Sequence, residues 1–467
     1  FAGVHDMCAL WASSRHKGKS IGALSGDVIG PRTRSLYMVV VFMLLLMVNS
    51  VFGVIIANSF VGSPGSVIPA WSAIAVALII GQLLHRKILP LGILTAIGVV
   101  LLYASIVLGS QVPLTLPEGL VPGLGTPAVW IIILFVYAFI ASTLPVWALL
   151  QPRDFINGMQ LAVGLLLLYG AVLIAGPDMT APAFNTELGE NPPSIVPLLF
   201  VTIACGAVSG FHGIVASGTS SKQLNKETDA RFVGYLSALG EGALALITLI
   251  AVSGVALAAS PEAWHELYHG FNQQGGAKPF ITGGAVLLED GWGLPVSVSE
   301  TMLATMVVLF AGTTMDSGVR LQRYIIQEWG DIYNLRLLKN GLLATMIAVG
   351  ACLALSFGAG GKSGTGGMII WPLFGTTNQL LAAMTLLVLS VMLIKMKRPP
   401  WVTLVPMVLV LLMASWAAGL LLLDFYRQSK WLLLGLNFIV LVTSVMVILD
   451  ALAVIQQQRA QQKAARK

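Results

Sequence analysis

Apolar runs of about 20 residues recur from one end of the chain to the other, each closed by a short polar, glycine or proline stretch. A helix needs that length to cross a hydrocarbon core, and the two-residue alternation of a membrane β-barrel is absent. The pattern predicts an all-α polytopic membrane protein, with a partial first helix over about 1–14 and about twelve complete transmembrane helices. Their expected positions are roughly 35–60, 67–84, 89–110, 127–150, 154–176, 194–218, 232–259, 299–319, 340–358, 367–395, 401–423 and 431–455. The chain opens on Phe1 in mid-helix, so an N-terminally incomplete protein is expected.

Composition agrees with a lipid solvent. Hydrophobic residues make up 57% of the 467 and charged residues 10%, against about 25% charged in a soluble domain. The mean hydropathy of +0.86 leaves too little polar surface to face water on all sides. A formal charge of +6 raises nucleic acid as a partner, but the placement of the charges removes it. Alternate loops hold 22 of the 26 Lys and Arg, Arg153 and the 320–339 group among them; the opposite loops hold Lys278, Lys362, Arg427 and Lys430. Cytoplasmic loops collect Lys and Arg, so the split predicts a cytoplasmic C-terminus and tests the span count as well.

The opposite loops are acidic or rich in Pro and Gly. Segment 177–193 carries Asp178, Glu187 and Glu190 with no Lys or Arg, and 261–298 contains His265, His269, Glu289 and Asp290 around a short surface or re-entrant helix. Segment 319–340 mixes charges with Ile, Trp and Tyr at helical spacing and predicts a helix on the cytoplasmic surface. The expected division is a transmembrane core over 1–260, an extracytoplasmic loop over 261–298, C-terminal helices over 299–455 and a cytoplasmic tail over 456–467.

Polar groups at membrane depth are expensive, about 2.5–3.5 kcal/mol for a charge on the insertion scale, so each invites a reason. Residues 202–222 place Gly206, Gly210, Gly213, Gly218, Ser209, Ser217, Thr219 and His212 within one span. Either the backbone unwinds there to present polar groups to an ion or solute, or the glycines pack helices closely, as the Gly206/Gly210 spacing suits. His212 is either functional or a neutral histidine sealed by a carbonyl. Ser142, Thr143 and Pro145 fit a discontinuous helix or an ordinary proline kink equally. Asp316 is read first as a helix partner of Arg320 or Arg323, and otherwise as a polar group on the substrate or ion pathway. Pro372, Gly375, Thr376, Thr377, Asn378 and Gln379 predict a break near 372–377, with Asn378 as a possible solute contact. Glu241 either relays protons or pairs with a base, His5 and Asp6 form a polar pair, and Asp450 snorkels.

Several chemistries fail on their motifs. Cys8, Cys205 and Cys352 are isolated and predict neither disulfide nor zinc. Residues 358–367 look like a phosphate loop, but Ser356 stands where that pattern needs glycine. No metal, cofactor or nucleic-acid partner is expected, and the six scattered histidines argue against an intramembrane enzyme.

The stretches VTIACGAVSGFHGIVASGTSSKQL and TDARFVGYLSALGEG resemble the carbon starvation protein family. STLPVWALLQPRDF, DSGVRLQRYIIQEWG, IIWPLFGTTNQLLAAM with LIKMKR, and the opening GVHDM with SSRHKGKSIGALSGDVIG resemble it in the same order. The likeness covers most of 1–400, is most specific in 200–240, and thins in 261–298 and beyond about 400. It implies a bacterial or archaeal cytoplasmic-membrane carrier that imports peptides or pyruvate under nutrient limitation, driven by protons or another cation. It also implies the inverted five-plus-five repeat of the amino-acid/polyamine/cation superfamily, with 127–150 as a broken helix and 194–218 beside the site. The family pattern includes a Gly/His/Pro-rich helix upstream of GVHD that this sequence lacks, which again predicts truncation. The resulting expectation is a secondary transporter, with 202–219 and 141–145 lining the path and His212 and Glu241 as proton couplers. A membrane-embedded nutrient sensor is the alternative, with a tail too short for an output domain.

Overall fold

The computed structural model describes residues 1–185, 192, 194–254, 260–267 and 276–464. Glu187, Glu190 and His269 of the sequence reading, and residues 465–467 of the expected tail, lie outside the described residues. In chain order the helices are α1 (Ala2–Arg15), α2 (Ile21–Val28), α3 (Pro31–Gly62), α4 (Val67–His85), α5 (Leu91–Gln111), α6 (Thr126–Thr143) and α7 (Leu150–Ala175). A π turn at Ile195–Leu199 leads into α8 (Phe200–Ala204), followed by α9 (Gly210–Gly218), α10 (Asp229–Ser253), α11 (Pro261–Leu267) and α12 (Lys278–Trp292). The remainder are α13 (Val296–Ile332), α14 (Gly341–Gly360), α15 (Gly366–Lys395), α16 (Trp401–Arg427) and α17 (Trp431–Ala464).

Among the described residues, eleven helices are long and apolar enough to cross a membrane: α3 to α7, α10 and α13 to α17. They match eleven of the twelve predicted spans, and the molecule is an all-helical, multi-pass membrane protein. The twelfth span, 194–218, is interrupted between α8 and α9. Three other expectations need correction. No break occurs at 372–377, because α15 runs unbroken through Pro372. A proline removes one donor and crowds one carbonyl, and a packed membrane helix tolerates that; Thr376 Oγ1 returns a hydrogen bond to the Pro372 carbonyl at 2.9 Å.

The surface helix expected over 319–340 is instead the last part of the 37-residue α13 as far as Ile332. Arg320, whose charge suggested a surface, is buried. The span expected to run through Pro145 ends before it, at Thr143. Residues 456–464, within the expected tail, are helical and extend α17. A short helix that the pattern did not predict, α2, is capped at its start by the Ser20 hydroxyl, which accepts from the Ala23 N–H.

Packing divides the chain into two units, each discontinuous in sequence. Unit one comprises Phe1–Met47, Pro193–Gly242 and Ile370–Lys467. There α1 packs on α9, and Gly234 lets it lie against α10, since a Cβ at that position would stand 2.6 Å from the Met7 backbone. Hydroxyls stitch the other end: Ser13 Oγ lies 2.5 Å from the Ser217 carbonyl and 2.8 Å from Ser221 Oγ, and the Ile21 N–H donates to Ser217 Oγ at 2.9 Å.

Unit two comprises Val48–Pro192 and Ala243–Ile369. Its core joins Leu94, Leu102 and Ile106 of α5, Ile156 and Leu168 of α7, Leu287 and Leu288 of α12, and Leu303 and Leu309 of α13. Lipid tails are as apolar as leucine, so close packing and hydrogen bonding hold such a core, and small residues at contacts matter. Gly291 shows this: a Cβ there would overlap the Ala171 backbone, so α12 can approach α7 only with glycine.

Candidate functional site

The site in unit one starts from the interrupted span. The helical path stops after Ala204, turns through Cys205–Val208, and resumes at Gly210 with Ser209 extended (φ −121°, ψ 133°). A helix start leaves its first N–H groups without partners, and serine at the N-cap normally supplies one from its own side chain. Ser209 does not. The cap comes from α15: Asn378 Oδ1 accepts the Phe211 N–H at 2.9 Å, while its Nδ2 donates to Ser209 Oγ at 3.0 Å and to Cys205 Sγ at 2.9 Å. One side chain from a distant helix thus holds both edges of the break.

The glycines divide between the two roles the sequence left open. Gly206 lies in the turn, with nothing nearer than 3.8 Å to an added Cβ. Gly210 and Gly213 are packing positions: a Cβ at 210 would stand 2.6 Å from the Asn378 carbonyl, and one at 213 would stand 3.1 Å from Thr385 and 3.3 Å from His5. Gly206 and Gly210 therefore do not form one GxxxG face. Gly210→Ala is expected to destabilise by about 1–3 kcal/mol through overpacking. Gly206→Ala is expected to leave thermal unfolding in detergent unchanged; equal melting shifts in the two would refute this division.

Close approach at Gly213 brings α1 to the break with its polar pair. His5 Nδ1 and Asp6 Oδ1 are 2.8 Å apart, with His5 fully buried. The other oxygen, Asp6 Oδ2, lies 3.4 Å from His212 Nδ1. On the far edge of the imidazole, His212 Nε2 lies 3.6 Å from Glu241 Oε1 on α10. The four groups form a chain: His5, Asp6, His212, Glu241. Side-chain exposure rises along it, from 0% at His5 and 10% at Asp6 to 28% at His212 and 33% at Glu241. The two outer His212 contacts exceed normal hydrogen-bond length, so they are ion-pair distances that allow the ring to move.

Among the described residues, no cluster of three or more His, Cys, Asp or Glu side chains has metal-binding geometry. Within unit one the structure therefore brings together Gly206, Ser209, Gly210, His212, Gly213, Glu241 and Asn378, and adds His5 and Asp6. Ser217 is fully buried and bonded to the Gly213 carbonyl and the Ile21 N–H, a structural joint. Thr219 lies beyond the end of α9, half-buried.

Ser142, Thr143, Pro145 and Asp316 belong to unit two. Ser142 and Thr143 return their hydroxyls to the Phe139 and Ile140 carbonyls of their own helix, and Pro145 is exposed. Asp316 does not pair with Arg320. It is buried and paired with Arg153, and Tyr137 Oη donates to its Oδ2 at 2.7 Å. Arg320 instead donates to the Leu144 carbonyl at 2.8 Å and the Ala141 carbonyl at 2.9 Å, placing a cation on the negative end of α6. Arg153, counted with the loop charges, is a buried residue of α7. Its i, i+4, i+7 spacing with Asn157 and Gln160, all buried, was the available signal of a polar helix face.

With this geometry in hand, comparison with known proteins gives a consistent answer. The family described as "Carbon starvation protein CstA" matches residues 1–260 and 252–417. The chain belongs to this family. The CstA-family relatives include "Peptide transporter CstA" of Campylobacter jejuni, 33% identical over 464 residues, covering 87% of this chain and 65% of that protein. "Pyruvate/proton symporter BtsT" of Escherichia coli K12 is 30% identical over 502 residues, covering 91% of this chain and 69% of that protein. This CstA-family chain thus spans about two thirds of the length of those relatives. Among solved structures, an Eremococcus coleocola manganese transporter aligns with a TM-score of 0.42 at 14% identity, covering 97% of this chain and 95% of that one. His5, Asp6, His212, Glu241 and Asn378 all fall inside the region that matches the CstA family.

Proposed function

We propose that this protein imports a small carboxylate-bearing nutrient, a short peptide or pyruvate, across the cytoplasmic membrane with a proton, its C-terminus facing the cytoplasm. The observation that carries this reading is His212, held between Asp6 and Glu241 at the break in a membrane helix. Its imidazole bridges two carboxylates, Asp6 and Glu241, and histidine exchanges protons in the physiological range. Protonated, the ring donates toward both carboxylates; neutral, it keeps a single N–H and can donate to only one of them. Because α9 is separated from α8 by an unwound turn, a change in those attractions can tilt α9 without bending a continuous helix. The relatives named as a peptide transporter and a pyruvate/proton symporter support the substrate class and the coupling ion. Nothing in those names favours a sensor.

The test is uptake of labelled pyruvate and labelled dialanine into proteoliposomes containing the natural full-length protein. With one proton per solute, an inward gradient of one pH unit should drive about tenfold accumulation of one of them. A protonophore should abolish it. Uptake of neither solute, or uptake indifferent to the gradient, would overturn the proposal.

A further inference from the structure

Unit two holds a buried charged group that proton coupling leaves unused. Among the described residues of this unit, the buried charged side chains are Arg153, Arg320 and Asp316, and Asp154 follows Arg153 in sequence. Arg320 directs Nη1 and Nη2 to the carbonyls that end α6 and leaves its Nε without a partner. Arg153 meets Asp316 through one nitrogen and one oxygen, Nη1 to Oδ2, and the same Nη1 lies 2.6 Å from Tyr137 Oη. The contact is single-pronged. Arg153 Nε and Asp316 Oδ1 are both buried without a hydrogen-bond partner. A guanidinium offers its donors as a planar fork that matches both oxygens of a carboxylate, and Asp316 occupies only one prong.

The surroundings of the fork are built for it. Gly312 lies directly against the guanidinium: a Cβ there would meet Arg153 Nη2. A cavity of about 20 Å³ adjoins it, lined by Phe60, Trp71, Tyr137, Arg153, Gly312 and Met315 among others. That volume suits one water-sized guest. Its walls are aromatic and aliphatic, with Arg153 and Tyr137 among the lining residues that carry polar groups. A charged fork beside an apolar wall is the donor set that a small organic anion uses, and a guest larger than water needs this cavity to open.

The geometry points to Arg153 as the receptor for the carboxylate of the transported solute, which takes the two-oxygen contact that Asp316 leaves open and displaces Asp316. The assignment rests on the proposed carboxylate-bearing substrate. Asp316 then acts as an internal stand-in that satisfies Arg153 between transport events, and its displacement and the widening of the cavity go with a movement of α7 against α13.

The experiment measures binding of pyruvate, dialanine and the neutral analogue pyruvamide to the full-length protein in detergent, by titration and by thermal shift. The wild type should bind a carboxylate and ignore pyruvamide. Arg153→Lys keeps the charge but loses the fork, and should weaken Kd at least about tenfold, the loss of one charge-assisted hydrogen bond. Asp316→Asn frees the fork and should tighten Kd by about tenfold on the same scale. Both variants are first checked for helical circular dichroism and a single gel-filtration peak; if Asp316→Asn does not fold, Arg153→Lys decides alone. Folded variants with wild-type Kd values overturn the Arg153 assignment and leave the proton-coupled importer standing. A wild type that neither binds nor transports any carboxylate overturns both.

Discussion

Replacing His212 with glutamine is expected to reduce gradient-driven uptake by about 100-fold, the scale on which a positioned proton-transfer group contributes. Exchange of labelled for unlabelled solute without a gradient should fall far less. Glutamine keeps an amide donor and acceptor near the ring's position but cannot carry a proton, so the substitution separates coupling from solvation of the break. Glu241→Gln should show the same split, because Glu241 is the more exposed end of the chain and His212 reaches it at 3.6 Å. The double variant should be no worse than His212→Gln alone, since groups acting as one unit are not additive. The measurement is the initial uptake rate with and without an imposed pH difference. Full gradient-driven uptake by His212→Gln would remove this residue as the coupler.

The contrast between what the sequence disclosed here and what it hid is physical. The interruption near Gly206 was legible because four glycines in one span are costly without a reason, and because His212 cannot face lipid. What holds the interruption was not legible: Asn378 lies 169 positions from Ser209, and no local pattern announces a cap supplied by another helix. The same holds for Asp6. Its pairing with His5 shows in adjacent letters, whereas its approach to His212 depends on Gly213 letting α1 come close.

Errors went in the same direction. Pro372 with two threonines reads as a break by the habits of soluble helices, but in α15 the helix simply continues. Arg153 and Arg320 were counted as loop charges because a tally by position near span ends cannot tell a snorkelling arginine from a buried one. Asp316 and Arg320 have the spacing of a helix pair, yet each finds a better partner on another helix, Arg153 for one and the end of α6 for the other. Local spacing identifies which groups are able to interact, and tertiary packing selects among them.

Arg153→Met alone, and Asp316→Leu alone, are each expected to destabilise the protein by about 3–5 kcal/mol, because each leaves an uncompensated charge in the interior. The side chains are only 4% and 3% exposed, so neither can turn to water without moving α7 or α13. The double substitution should recover most of that loss, since a buried ion pair replaced by apolar groups of similar volume is often neutral or better. Unfolding of the detergent-solubilised protein, followed by thermal shift and proteolysis, checks all three variants. Singles as stable as wild type, or a double no better than the worse single, would contradict the pairing. If the double variant is stable, the charges are unnecessary to the fold, and their presence at membrane depth calls for another reason. A ligand whose own carboxylate competes for Arg153 supplies one: the pair then persists because it can be exchanged, and a purely apolar contact at the same place cannot be.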